Sequence, residues 1–156
     1  MNEYPLEMPK RKCSIALVAG EFNHFIVQQL VDGAYDALSR NGVAQQNINL
    51  VWVPGAFELP LAVDVLASTG NHDAVIALGA VIRGGTPHFD YVAGECSRGL
   101  ANVGLKYSLP VIFGVLTTDT VDQALERAGS GAGNKGFDTA VAALQMIALM
   151  DRLRAE

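Results

Sequence analysis

DAVIALGAVI, residues 73–82, is the stretch that decides the fold. It is apolar along nearly its whole length, with no alternation of polar and apolar positions. Such a strand is buried on both faces, which requires a parallel sheet covered by helices on both sides. Outward from it the pattern recurs. CSIALVA (13–19), INLVWV (48–53) and LPVIFGVLTT (109–118) read as three further strands. Helical spacing of apolar residues fills 23–40, 57–69, 89–107, 121–128 and 137–154. Asn23 can cap the first helix, with Gly42 just past its end, and Thr120 or Asp119 can cap the fourth. Gly94, Gly99 and Gly104 weaken the third. A Gly-rich link, GSGAGNKG (129–136), precedes the last. Right-handed crossovers then leave few topologies. The expectation is a three-layer α/β/α sandwich around a four-stranded parallel sheet in flavodoxin-like order, 2-1-3-4. It forms one domain over 1–156, with 1–12 as an N-terminal arm.

Composition narrows the function. The chain has 156 residues, 50% hydrophobic and only 17% charged. An average domain carries about 25% charge, so part of this surface is expected to be hidden in an oligomer. The formal net charge of -5 argues against nucleic acid as a partner. The one basic run, Lys10-Arg11-Lys12, reads as part of a solvated arm. No apolar run reaches the roughly 18 residues of a membrane span, and MNEYPLEMPKRK has no signal-peptide core. Cys13 and Cys96 form no CxxC pair, as expected of a reduced, cytoplasmic protein. His24, His72 and His88 show no metal-ligand spacing, so no metal is expected.

Ligands of such sheets bind beyond the carboxyl ends of the strands. Three loops there are unusual. Phe22, after the first strand, is either a hydrophobic staple or a stacking platform for a flat heterocycle. Glu58 sits in the apolar stretch PGAFELPLAV at a helix start. It is either a cap favoured by the helix dipole or an acceptor for ligand hydroxyls. Arg83-Gly84-Gly85-Thr86-Pro87-His88 is the most informative segment. Gly-Gly lets backbone N–H groups approach an anion, and Thr86 adds a hydroxyl that can also cap the next helix. His88 beside that phosphate cradle can move protons near neutral pH. His24 and His72 read as surface or capping residues. No GxSxG elbow or Walker loop occurs. Proton transfer and electrostatics are the visible equipment.

Several segments closely resemble the 6,7-dimethyl-8-ribityllumazine synthase family. They are FN (22–23), WVPGAFELP (52–60), ALGAVIRGGTPHFDYVA (77–93), FGVLTTDT (113–120) and ERAG…GNKG (126–136). The resemblance runs from about residue 13 to the C-terminus, with Glu21 and the arm idiosyncratic. It implies a cofactor-free condensation of 5-amino-6-(D-ribitylamino)uracil with 3,4-dihydroxy-2-butanone 4-phosphate in riboflavin biosynthesis. It implies Phe22 under the pyrimidine, with Ala56, Phe57, Glu58, Ala80, Val81, Ile82 and Phe113 around the ribitylaminouracil. It implies Gly85, Thr86 and Arg127 on the phosphate, His88 in catalysis, and Lys135 and Asp138 in support. It also implies a pentamer, which in some members goes on to a sixty-subunit shell, and riboflavin synthase as a further partner. A flavin-binding electron carrier and a purely structural shell protein are the rival readings.

Geometry adds an expectation of its own. Phe22, Glu58 and His88 follow strands one, two and three, so one chain can gather them. Phe113 lies mid-way along an edge strand. Arg127 lies about 10 Å along a helix that runs away from the carboxyl edge. Both could instead reach a neighbour's pocket in a head-to-tail ring. Arg83, Arg127 and Lys135 are the cations available to a phosphate; the resemblance implies Arg127, whose fork suits a phosphate.

Overall fold

A computed structural model describes residues 1–129 and 133–156. The sheet contains β1 (Ile15–Gly20), β2 (Ile48–Val53), β3 (Ala74–Ile82) and β4 (Val111–Thr118). All neighbours pair in parallel, in the order β2-β1-β3-β4 expected from the sequence. The helices are α1 (His24–Arg40), α2 (Leu59–Ser68), α3 (His88–Tyr107), α4 (Val121–Arg127) and α5 (Lys135–Arg154).

The central strands bear out the reading of DAVIALGAVI. Every residue of β1 is buried, and β3 is buried except at its last residue. Successive side chains alternate between two cores. Ile15, Leu17, Ile76 and Leu78 face α1 and α5, with α4 against the same side. Ala16, Val18, Val75 and Ala77 face α2 and α3. Burying a Leu or Ile side chain stabilises by about 1.5–3 kcal/mol, so these layers dominate the fold's stability. Both cysteines lie inside them.

The edge strands differ from the expectation of uniform burial. Leu50 in β2 is 43% exposed and Phe113 in β4 is 39% exposed. An apolar run does not distinguish a sandwiched strand from an edge strand whose side chains still lack a partner. The helix starts also shift. Residues 56–58 form a 3₁₀ turn, and α2 begins at Leu59 with Pro60 in its first turn. The last helix begins at Lys135 rather than 137, capped by the Asn134 side chain. Part of the Gly-rich link, 130–132, lies outside the described residues. Thr120 does cap α4, through a full capping box with Gln123. The three glycines do not interrupt α3. A Cβ on Gly99 would come within 2.7 Å of Pro60, so this glycine lets α2 and α3 pack closely.

Candidate active site

The carboxyl ends of β1, β2 and β3 carry loops that converge on a cavity of about 700 Å³. It is lined by Phe22, Ala56, Phe57, Glu58, Ala80, Val81, Ile82, Thr86 and His88, all expected there from the sequence. Nine positions spread over 67 residues of chain meet because β1 lies between β2 and β3. Phe22 is 73% exposed and so does not act as a buried staple on its own helix. Glu58 is partly buried, at the junction of the 3₁₀ turn and α2, where the helix dipole favours a carboxylate. His88 is the first residue of α3.

Two expected caps are used otherwise. Asn23 precedes α1 in a left-handed conformation, φ 62, and makes no cap bond. Its amide instead donates to the Ala80 carbonyl at 2.9 Å, fastening the Phe22 loop to the strand that forms the opposite wall. Thr86 does not cap α3 either; Pro87 holds the N-cap position and no side-chain cap is present. The Thr86 side chain is thus left to the cavity. A Cβ on Gly84 or Gly85 would meet nothing within 4 Å, so packing inside this chain does not demand these glycines. An open backbone beside a helix start suits an incoming anion.

Phe113 and Arg127 are not in this cavity. They line a second one, of about 690 Å³, between the first half of α3, β4 and α4. Phe113 pairs with Ala77, five residues before the Thr118–Ile82 pair at the end of the sheet, or roughly 16 Å back. Arg127 ends α4. Lys135 and Asp138 meet Arg127 in a smaller cleft with Glu126 and Asn134. The structure therefore splits the expected set among three clefts, and Gly85 lines none of them, although its neighbours Gly84 and Thr86 line the first.

Sequence reasoning passed over the wall between the two cavities. Phe89 lines both. Tyr91 and Val92 join His88 in the first, and their i+3 and i+4 spacing from His88 is a signal that could have found them. Arg83 is engaged by carboxylates: Nε donates to Asp119 at 2.9 Å, and Nη1 lies 3.6 Å from Asp90. Its guanidinium carbon sits 4.4 Å from the Phe89 ring centroid. Among the described residues no group of three or more His, Cys, Asp or Glu could hold a metal ion. No helix there is long and apolar enough to cross a membrane.

An α/β/α sandwich whose loops enclose a cavity beyond three strand ends is a small-ligand protein of the kind that binds at the carboxyl edge of a parallel sheet. Within that class the match is specific. The model of the family described as 6,7-dimethyl-8-ribityllumazine synthase covers residues 12–151. The chain belongs to this family, which makes it a transferase of riboflavin biosynthesis.

Proposed function

We propose that the chain condenses 5-amino-6-(D-ribitylamino)uracil with 3,4-dihydroxy-2-butanone 4-phosphate, releasing phosphate and water. The supporting observation is the single cavity that gathers an exposed aromatic, a carboxylate, a glycine-rich anion loop and a histidine. Phe22 stacks under the pyrimidine, and Glu58 accepts from the ribityl hydroxyls. Ala56, Phe57 and the backbone of Ala80, Val81 and Ile82 wall the ring. Gly85 and Thr86 hold the phosphate. The substrate amine attacks the ketone and expels a first water to give an imine. Phosphate then leaves, and ring closure with loss of water gives the lumazine. His88 carries the protons between these steps, a role worth about 10² to 10⁴-fold in rate. No cofactor takes part.

The second cavity supports a site shared between chains. Phe113 closes the ring pocket and Arg127 binds the phosphate of the neighbouring chain, with Lys135 and Asp138 in support. A heterologous contact of this kind repeats until the ring closes, here as a pentamer. The exposed Phe22, Phe57 and Phe113 supply apolar surface for ligand and neighbour. The pentamer acts in the cytoplasm, and its product passes to riboflavin synthase. The test mixes both substrates with the protein and follows lumazine fluorescence together with phosphate release. A protein that forms neither product, or that purifies yellow with bound flavin, would not be this enzyme.

A further inference from the structure

Arg83, Arg127 and Lys135 are the three cations that the sequence offers to a phosphate. Only Arg83 already has carboxylate partners among the described residues. Its partners lie on separate elements. Its backbone N–H donates to the Thr118 carbonyl at 2.8 Å, and its Nε to Asp119 just beyond β4. Its Nη1 faces Asp90, and its plane lies over Phe89, both in the first turn of α3. Arg83 and Phe89 therefore bracket the five residues 84–88, a four-residue loop and the first residue of α3. That stretch carries Gly85, Thr86 and His88, and no side chain caps the helix it leads into.

We propose that Arg83 is a positioning residue: it staples both ends of the stretch 84–88 to the β4–α4 turn, setting where Thr86 and His88 sit, and is not itself a phosphate ligand. The inference rests on the lumazine-forming reading above. A pair of exposed charges contributes little by itself, and the Arg83 side chain is 49% exposed. Two features make this cluster more than such a pair. One planar guanidinium serves two carboxylates and a ring face at once, which an ammonium cannot do. It also lines the second cavity, which the ring proposed above would cover with a neighbouring chain, removing solvent from the contacts.

The test uses the assembled protein with Arg83→Met, Arg83→Lys, Asp119→Asn and the Arg83→Met/Asp119→Asn pair. Wild-type lumazine formation is measured first, and its absence would defeat the functional reading rather than the geometry. Arg83→Met and Asp119→Asn should each lower kcat about tenfold, because a small misplacement of reacting groups is costly. KM for either substrate should stay within about twofold. The double variant should be no worse than the poorer single one, as members of one unit are not additive. Arg83→Lys should recover little. Amide hydrogen exchange over residues 84–91 should rise in the unliganded Arg83→Met and Asp119→Asn proteins, a readout independent of activity. Should Arg83→Met fail to assemble, Asp119→Asn and Arg83→Lys carry the same measurement. A raised KM for the butanone phosphate in Arg83→Met, with Asp119→Asn unaffected, would make Arg83 a direct ligand and overturn the proposal. So would lowered melting temperatures with kcat and exchange unchanged.

Discussion

The two edges of the sheet treat charge in opposite ways. At the amino edge, charges are paired off. Arg11 donates to Asp151 at 2.8 Å and to Asp73 at 3.0 Å, while Asp73 also accepts from the Ser14 N–H at 2.8 Å. One guanidinium thus ties the N-terminal arm to the residue just before β3 and to the last turns of α5. Glu58 at the carboxyl edge, and Arg127 and Lys135 in the clefts along α4, enter no ion pair among the described residues, while Phe22, Phe57 and Phe113 in the two larger cavities are exposed. Charges that satisfy one another hold the chain together. Charges left to converge on open cavities are available to a ligand or a neighbour. Arg83 is paired with two carboxylates, and that pairing is what marks it as scaffold.

Variants at the carboxyl edge should act on catalysis and those at the amino edge on stability alone. The largest effect is expected from His88→Ala, which should lower turnover about 100-fold, at the low end for acid–base groups. Pyrimidine affinity should stay nearly intact in a binding titration; full turnover would move His88 out of the chemistry. Arg127→Ala follows. A hydrogen bond to a charged group contributes roughly 1.5–3 kcal/mol, so KM for the butanone phosphate should rise roughly 10 to 150-fold. Refolding His88→Ala chains together with Arg127→Ala chains sharpens the division. Some interfaces then pair an intact His88 cavity with an intact Arg127, and activity should partly return. Verified mixed rings that stay inactive would mean that each chain holds its whole site. Glu58→Gln keeps the shape but weakens the acceptor, and should cost roughly 2 to 10-fold in pyrimidine affinity.

The smallest effect belongs to the amino edge. Arg11→Met should leave kcat and KM unchanged and lower stability at pH 7 by less than about 1 kcal/mol, since these groups are well exposed. Its pH dependence has a definite sign. The Arg11 guanidinium holds the Asp151 carboxyl below its ordinary value of 3.8. That contribution is present above pH 3.8 and is lost as pH falls through the lowered value. The gap in melting temperature between variant and wild type should therefore close in acid. A gap that widened in acid would assign the stability to something other than this pair.

The central strands were legible because wholly apolar runs have one stable home, between two helix layers. The edge strands were legible as strands, but their exposure was not, since an apolar run reads the same whether or not a helix covers each of its faces. In the first cavity Phe22, Glu58 and His88 stood out because an aromatic, a carboxylate and a histidine are unusual in such loops. Asn23 was readable only as a cap, the commonest local use of its side chain. Its bond to Ala80 crosses 57 positions, and no local pattern encodes that distance. Arg83 was readable only as one of three cations available to a phosphate, for the same reason. Asp119, which engages it, is 36 residues away.

Burial of the two thiols has a practical outcome. Lack of solvation pushes the Cys96 thiol up to about 11 and raises Cys13 as well. At pH 7 only about one Cys96 in ten thousand is a thiolate, the form that alkylating reagents attack. The native chain is accordingly a silent background for maleimide labelling. A single cysteine engineered onto an exposed helix face would take up dye alone, so chains of two colours could be counted in the proposed ring without removing either native thiol.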